Sequence, residues 1–309
     1  MTFNVTILGS NSAMPANGRH PSAQLVNVNE NLFLLDCGEG TQMQMQRYGV
    51  KTSKINHIFI SHLHGDHFHG ILPLLDTFSL TDRQAPLTLY APPDLEKVIA
   101  LHQMVSSNGR KPDYPIIFNP IDADQTGVIF ENNLITVSTL PMIHRLPCTG
   151  FLIKQKLGQR RMRAEKIEQY QIPFKVISDI KNGDDFITQS GTIIPNHELT
   201  EPPPIPRSYA YCSDTAYNEA LIPLLSGVDV LYHESTYMSD MQELAYDRGH
   251  STAVDAAKIA RAANVGRLFL GHFSSRYDKP ERLLTEARPV FHETYLAIEG
   301  SVINITDID

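Results

Sequence analysis

The feature of this sequence that most constrains its fold is a dense group of metal-binding side chains directly after a short apolar run. The run 57–61 predicts a buried strand, and His62-x-His64-x-Asp66-His67 follows it at once. Imidazole and carboxylate groups suit borderline divalent metals, zinc above all. On a loop, the first two histidines can point to one metal while Asp66 and His67 point to another. The sequence therefore predicts a two-metal site, in preference to a histidine-rich surface loop without a ligand.

Further ligands of a two-metal site must come from distant segments, and three candidates lie at or after the ends of predicted strands. They are His144, Asp214 and His272. In layered α/β folds, that edge of a sheet is where sites are assembled. A carboxylate at Asp214 could bridge two cations. Alone, each residue is equally consistent with an ordinary polar role, but their order after the first cluster favours metal ligation.

Three more ionisable residues have candidate roles beside the metals. Glu234 and His250 could pass protons to a leaving oxygen, which is the interpretation we favour. Alternatively, Glu234 orients a ligating histidine and His250 merely precedes a helix. Asp36 ends a predicted strand behind the cluster, so we expect it to hydrogen-bond a metal-bound histidine.

Strand and helix signals alternate along the chain and predict a single α/β domain over residues 1–309. Apolar runs bounded by turn residues predict strands at 4–8, 23–28, 32–36, 57–61, 210–214, 228–234 and 267–272. Helices are expected at 41–48, 70–78 and 252–263, with Thr41 capping the first and Ser251 or Thr252 the last. The second half repeats the plan of the first in outline.

Residues 154–175 are locally basic in a chain of net charge −8. We predict an inserted arm over 154–195, and its basic residues could bind phosphates in a salt-sensitive manner. The candidate substrate-binding residues are Lys154, Lys156, Arg160, Arg161 and Arg163. The alternative is that these charges form the solvated face of a helix.

Composition limits the cellular context. No apolar run approaches the roughly 20 residues that span a bilayer, and the N-terminus does not resemble a signal peptide. Three scattered cysteines are too few for a disulfide framework, so we expect a cytoplasmic protein without membrane association. The acidic balance disfavours coating of nucleic acid by the whole surface, although a local basic patch could still handle RNA.

Over nearly its whole length the chain resembles ribonuclease Z, the family of transfer-RNA 3′-end endonucleases in the metallo-β-lactamase superfamily. The metal cluster alone marks the superfamily, whereas the runs around it mark the family. These are Leu8-Gly9-Ser10 with Pro15, Asp36-Cys37-Gly38-Glu39-Gly40-Thr41-Gln42, His144 with Pro147 and Gly150-Phe151, Ser213-Asp214-Thr215, His233-Glu234-Ser235-Thr236, Gly249-His250-Ser251-Thr252 and Gly271-His272-Phe273-Ser274-Ser275-Arg276-Tyr277.

The resemblance implies two Zn²⁺ per subunit, with Mn²⁺ or another divalent ion left open. One zinc would be held by His62, His64 and His144, the other by Asp66, His67 and His272, and Asp214 would bridge them. A hydroxide between the metals would attack the phosphorus in line. Asp66 would accept a proton, and Glu234 with His250 would protonate the departing ribose oxygen, leaving a 3′-hydroxyl on the tRNA.

The family fold is a four-layered αββα sandwich with an inserted arm, and short members are homodimers acting on precursor tRNA. One departure concerns the arm, which in the family usually carries a Gly-Pro-rich turn. Residues 170–176 contain no Gly-Pro pair. The metal chemistry is therefore better supported than the RNA substrate. The alternative function is a small-molecule phosphodiesterase or esterase on the same scaffold.

Overall fold

The computed structural model describes residues 2–106, 109 and 112–307. Its strands, in chain order, are β1 (Phe3–Gly9), β2 (Ala23–Val28), β3 (Asn31–Leu35), β4 (Ile55–Phe59), β5 (Leu87–Ala91), β6 (Ile116–Pro120), β7 (Val128–Glu131), β8 (Ile135–Pro141), β9 (Thr149–Gln155), β10 (Arg161–Met162), β11 (Phe186–Ile187), β12 (Ile193–Ile194), β13 (Thr200–Glu201), β14 (Ser208–Cys212), β15 (Val230–Glu234), β16 (Arg267–Gly271), β17 (Thr294–Leu296) and β18 (Val302–Asn304).

The helices cover shorter parts of the chain. They are α1 (Thr41–Arg47), α2 (Gly65–Phe68), α3 (Ile71–Leu80), α4 (Asp94–Ser106), α5 (Ala164–Gln169), α6 (Ile177–Asn182), α7 (Asn196–Leu199), α8 (Leu221–Leu224), α9 (Gln242–Arg248), α10 (Ala253–Ala262) and α11 (Glu281–Ala287). Within the described ranges, no helix combines the length and the apolar character needed to cross a bilayer.

Two seven-stranded sheets form the centre of the fold. The first has the order β18-β1-β2-β3-β4-β5-β6, and the second has the order β17-β16-β15-β14-β9-β8-β7. The C-terminal β18 therefore returns to the first sheet, where it pairs antiparallel with β1. Strands β3 to β6 run parallel to one another, as do strands β14 to β17, so their carboxyl ends meet at one edge of each sheet.

Helices cover the outer face of each sheet. One apolar cluster joins α1, α3 and α4 to the first sheet through Met45, Phe78 and Leu95. The other joins α10 and α11 to the second sheet, with Ala257 and Leu283 among its members. These layers confirm the four-layered αββα sandwich, and the predicted strands are confirmed with ends shifted by up to two residues.

Polar contacts as well as apolar ones join the inner faces of the two sheets. The rings of Phe59 and Phe151 lie 5.5 Å apart. From the same face of β14, the Tyr209 hydroxyl donates to Gln24, and the Tyr211 hydroxyl donates to Asp36 at 2.6 Å. Just past the strand, the Ser213 hydroxyl donates to Ser61 Oγ at 3.0 Å. This inward row of β14 fixes the position of one sheet against the other.

The cap of α10 is confirmed and that of α1 is wrong. Thr252 accepts a hydrogen bond from the Asp255 N–H, and the Asp255 carboxylate accepts from the Thr252 N–H, which makes a capping box. Helix α1, by contrast, begins at Thr41 itself, after Gly40 at φ 82°. The Thr41 hydroxyl donates to the Gly38 carbonyl and caps nothing.

A second compact unit comprises Asn132–Ile135 and Lys154–Pro206. It has a small apolar core of its own, formed by Ile172, Ile180, Phe186, Ile194 and Leu199. The five basic candidates lie on the end of β9, on β10 and in the adjoining loops. None of these five lies in a helix, whereas Lys166, in the same basic window, lies in α5.

Candidate metal centre

The seven predicted ligands come from both sheets and meet at the carboxyl ends of their strands. His62, His64, Asp66 and His67 follow β4 and enter α2, His144 follows β8, Asp214 follows β14, and His272 follows β16. His272 adopts a left-handed backbone, φ 58°, at its strand end. That conformation turns its side chain out of the strand, which is unusual for a residue with a Cβ.

Three imidazoles and one carboxylate form a first group. His64 Nδ1 lies 3.0 Å from both His62 Nε2 and His144 Nε2. Asp214 Oδ2 lies 3.6 Å from His62 Nε2 and 3.7 Å from His144 Nε2. All four ligand atoms fall within 4.8 Å of one another, as the donors around one cation would.

A second group lies directly beside the first and includes the other oxygen of Asp214. His67 Nε2 and His272 Nε2 are 3.3 Å apart, and Asp66 Oδ2 is 3.3 Å from His272 Nε2. Asp214 Oδ1 lies 3.2 Å from His67 Nε2 and 3.1 Å from His272 Nε2. Asp214 thus presents one oxygen to each group, which is the arrangement of a bridging carboxylate.

The donor set fits a pair of bound cations. Asp214 Oδ1 is buried and has no hydrogen-bond partner among the described residues. In three predicted ligands, the Nδ1 atom that faces away from the centre lies within hydrogen-bond distance of an oxygen. His67 Nδ1 lies 2.7 Å from Asp36, and His144 Nδ1 lies 2.7 Å from the Gly249 carbonyl. His272 Nδ1 lies 2.8 Å from the Thr236 hydroxyl. With those nitrogens protonated, the inward nitrogens carry lone pairs that face one another. Without a cation, these lone pairs would repel.

Asp36 belongs to a buried network that holds His67. Its carboxylate accepts from the Ser61 N–H at 2.7 Å, the Ser61 hydroxyl at 2.9 Å and the Tyr211 hydroxyl at 2.6 Å, in addition to His67. Asp36 reaches these donors from a left-handed backbone, φ 54°. No pattern in the sequence marks Tyr211, because a lone strand tyrosine resembles any core aromatic.

Glu234 is fully buried and faces its own donors, not solvent. Its carboxylate accepts from the N–H groups of Thr215, Thr236 and Ser251, at 3.1, 2.9 and 3.0 Å. The Thr236 hydroxyl donates to it at 2.8 Å, and His250 Nδ1 lies 2.9 Å away. Glu234 does not line the cleft above the metal groups, whereas His250 does.

The charges of the centre shift several pKa values. Burial lowers the pKa of His250, but the Glu234 carboxylate more than offsets this and raises it to about 9. Burial works to raise the pKa of Asp214, yet His272 and His67 hold it well below its usual range. For Asp66, burial is likewise outweighed by His67 and His272, and its pKa is lowered. These shifts favour ionised carboxylates and a protonated His250 at neutral pH.

An open cleft of about 360 Å³ lies over these groups. Its walls include His64, Asp66 and His250 together with three arginines, Arg145, Arg248 and Arg276. We call this space the metal cleft. Guanidinium groups bind phosphate oxygens in a forked geometry, so the cleft suits a phosphate-containing ligand. The role of these arginines could not be predicted from the sequence, since nothing in their spacing shows that they share one cleft.

The five basic arm residues belong to the second compact unit and not to the unit that contains the metal centre. Lys154 and Arg161 are exposed. Lys156, Arg160 and Arg163 are half-buried, and Arg160 Nε donates to the Thr200 hydroxyl at 2.7 Å. Of the five, Lys154 and Arg161 therefore present the most accessible charges.

Comparison with known proteins shows which family has this fold and this site. The chain is 41% identical to a ribonuclease Z from Bacteroides thetaiotaomicron over 305 residues, 99% of this chain and 96% of that protein. The human short-form tRNase Z superposes with a TM-score of 0.70 at 26% identity, covering 98% of this chain and 99% of that one. The metallo-β-lactamase fold protein YhfI from Bacillus subtilis superposes with a TM-score of 0.69 at 21% identity, over 98% of this chain and the whole of that one.

A sequence-family model described as Anti-Pycsar protein Apyc1 also matches, over residues 3–173. That span holds the first metal-binding cluster and His144 but ends before Asp214, Glu234 and His272. The similarity to ribonuclease Z, in contrast, runs through every ligand segment. The chain thus belongs to the ribonuclease Z family, with the metallo-β-lactamase fold, and through residues 3–173 also to the Apyc1 sequence family.

Proposed function

We propose that this protein is a metal-dependent endoribonuclease that removes the 3′ trailer from precursor tRNA and leaves a 3′-hydroxyl on the tRNA. The observation that carries the proposal is the convergence of the seven predicted ligands, four of which line one cleft with His250, in a chain that is 41% identical to a ribonuclease Z over nearly its full length. Membership of this family and the fold also imply the use of divalent metal.

We infer two zinc ions, one held by His62, His64 and His144 and one by Asp66, His67 and His272, with Asp214 between them. Support comes from the two donor groups and their mixture of imidazole and carboxylate, which suits zinc. When bound, such a pair supplies Lewis acidity that activates water and neutralises charge on the phosphoryl oxygens.

The residues around the centre divide the proton transfers between them. Asp66, ionised and held by the Ala13 N–H at 2.6 Å, can accept a proton from the attacking water. His250, with its pKa raised to about 9, can give its proton to the ribose oxygen that leaves the tRNA. In this scheme Glu234 keeps His250 charged and oriented without touching the substrate.

The arginines of the metal cleft would hold the phosphates that flank the cleaved bond. The same space is lined by His64, Asp66 and the three arginines Arg145, Arg248 and Arg276. An RNA backbone that crosses the cleft would therefore meet positive charge beside the reacting phosphate. We also propose that the basic residues of the arm contact tRNA phosphates away from the cleavage point. The exposed side chains of Lys154 and Arg161 support this role.

Two further properties rest on the family resemblance. We propose a homodimer, to be tested by light scattering on the eluting peak of a size-exclusion column. A cytoplasmic location is supported by three cysteines that are free and buried, as expected in a reducing compartment.

The deciding experiment is cleavage of a 3′-extended precursor tRNA by the purified protein, beside Asp66→Ala and a chelator-treated sample. We expect a single cut after the acceptor stem by the wild type, loss of the cut in both comparison samples, and recovery when zinc is returned to the treated one. Hydrolysis of a small chromogenic diester is measured in parallel. An intact precursor with hydrolysis of the diester would replace the proposal with the small-molecule phosphodiesterase.

A further inference from the structure

A second cavity, of about 560 Å³, lies in the same compact unit as the metal cleft. We call it the side cavity. Its walls are mostly apolar, and three aspartates stand among them. The lining residues include Leu63, Pro92, Pro93, Pro120, Leu146 and Pro147, with Asp94, Asp122 and Asp124. The volume lies within the range of sites that enclose most of a small ligand.

The side cavity and the metal cleft adjoin along two segments of the chain, which we call the ridge. Leu63 lies between two ligands in sequence and lines the side cavity, whereas the next residue, His64, lines the metal cleft. The same alternation occurs on the second segment, where Arg145 lines the cleft and Leu146 lines the cavity. A flexible polymer whose reacting bond lies over the metals could therefore cross this ridge and enter the side cavity.

The charges on the two sides of the ridge differ in sign. The metal cleft carries arginines, whereas the side cavity carries Asp94, Asp122 and Asp124 and no basic side chain among its lining residues. Phosphates are attracted to the first and repelled by the second. A nucleotide next to the ridge would keep its phosphate on the cleft side and could turn only its uncharged base into the cavity.

The walls of the side cavity suit both the ring face of a base and its polar edge. Proline and leucine side chains offer flat and apolar contact to a ring face. Among the described residues, the Asp124 carboxylate accepts no hydrogen bond and forms no ion pair, so it can accept from an exocyclic amino group. Asp122 already accepts from the Asp124 N–H and from Gln125, and Asp94 accepts from Lys97. Asp124 is therefore the carboxylate best able to read a base.

We propose that the side cavity binds one base of the single-stranded 3′ trailer and prefers a base with an amino group over uracil. The trailer is chosen because its bases are unpaired, whereas those of the acceptor stem are stacked in a duplex and not available for insertion. This proposal rests on the proposed function, since it assumes that the RNA lies across the metal cleft.

The test is an abasic scan of the trailer. A set of precursors carries one abasic nucleotide at each trailer position in turn, with every phosphate retained, and kcat/KM is measured for each. Loss of one stacked base should lower kcat/KM roughly ten-fold at one position and little elsewhere. A precursor with cytosine at that position should be cleaved faster than one with uracil there.

Two variants link such an effect to the side cavity, and one serves as a control. Leu146→Ala should remove most of the sensitivity to the abasic position, and Asp124→Asn should reduce the preference for cytosine over uracil. Ile143→Ala is the matched control, because Ile143 is 51% exposed on the same segment but lines neither space. We expect the control to keep both effects. Circular dichroism melting verifies that each variant is folded.

The outcomes separate this proposal from the proposed function. If the wild type cuts no precursor, the proposed function fails. If it cuts all precursors of the scan equally well, the enzyme is a tRNA nuclease and the side cavity does not read a base. The proposal is also overturned if an abasic nucleotide lowers kcat/KM as much in folded Leu146→Ala as in the wild type. It is equally overturned if base identity affects kcat/KM only on the tRNA side of the cut.

Discussion

The Thr236 hydroxyl connects His272, a predicted metal ligand, to Glu234. It donates to Glu234 at 2.8 Å, so a lone pair remains to accept from His272 Nδ1 at 2.8 Å. This leaves His272 Nε2 unprotonated and directed at the second metal group. Thr236→Val removes the hydroxyl at nearly constant volume, and we expect metal affinity to fall by roughly 10- to 100-fold.

Competition against a chelator of known affinity measures this loss without reference to catalysis. Thr236→Ser is the matched variant, since it retains the hydroxyl, and it should bind metal nearly as tightly as the wild type. Equal affinity in the valine and serine variants would mean that the hydroxyl does not fix the orientation of His272.

Glu234→Gln should change how activity depends on pH. The Glu234 charge opposes the effect of burial and raises the pKa of His250 to about 9. Without that charge, only the weaker effects of Asp214 and Asp66 oppose burial, and the pKa should fall towards the ordinary value of about 6.5. A proton donor acts only while protonated, so activity is lost as pH rises through its pKa.

The alkaline limb of kcat against pH should therefore move to lower pH in Glu234→Gln. The rate at low pH should change less, because His250 is protonated there in both proteins. An alkaline limb at the same pH in both would exclude His250 as the proton donor.

Single residues of the site differ in how far the sequence could predict them. The ligands are recognisable because several imidazoles and carboxylates fall close together at strand ends, and their convergence is now visible in the structure. Thr236, Tyr211 and Arg248 offered no such signal, since their roles depend on which side chains the fold brings next to them. Their positions become meaningful only in three dimensions.

Among the helices, α10 carries a cap that stability measurements can test. The capping box of Thr252 and Asp255 satisfies N–H groups at the start of the helix. Thr252→Ala should lower the free energy of unfolding by about 1 kcal/mol, as determined by urea denaturation. Arg261→Ala, at an exposed site near the other end of α10, should change it by less than about 0.5 kcal/mol. Similar values for the two variants would contradict a specific contribution of the cap.

Element types were easier to predict from the sequence than element ends. The central strands are buried on both faces, as β14 and β15 are at every position, and their mostly apolar runs give a strong signal. The predicted ends ran up to two residues too far at the carboxyl side, because Ser61, Asp214 and His272 leave their sheets to reach the site. The short strands β10 to β13 of the second unit were not predicted, since two residues carry no periodicity.

At the scale of the whole molecule, the second unit offers a test of RNA binding. Its small core includes Ile172, so deletion of 154–175 would unfold the unit along with its charges. Replacing Lys154 and Arg161 with glutamate removes surface charge only. We expect a higher KM for precursor tRNA and a shallower dependence of binding on salt, by roughly one unit of slope for each lost phosphate contact.

Lys97→Glu is the control for charge alone, because Lys97 is 81% exposed and lies in α4, outside the second unit. It should leave the KM for precursor tRNA and the salt slope close to those of the wild type. Equal effects of Lys97→Glu and of the double variant would point to general electrostatics and not to a binding surface on the second unit.

The inward row of β14 has a consequence for anyone who would transplant this centre into a designed scaffold. Tyr209, Tyr211 and Ser213 reach the first sheet through hydrogen bonds of fixed direction, and the last two end on the groups that surround His67. Apolar replacements of similar volume could keep the layers packed. They would also let one layer slide against the other, while ligands drawn from both layers must keep their spacing to about half an ångström. A graft limited to the seven ligands would therefore copy the chemistry without its alignment.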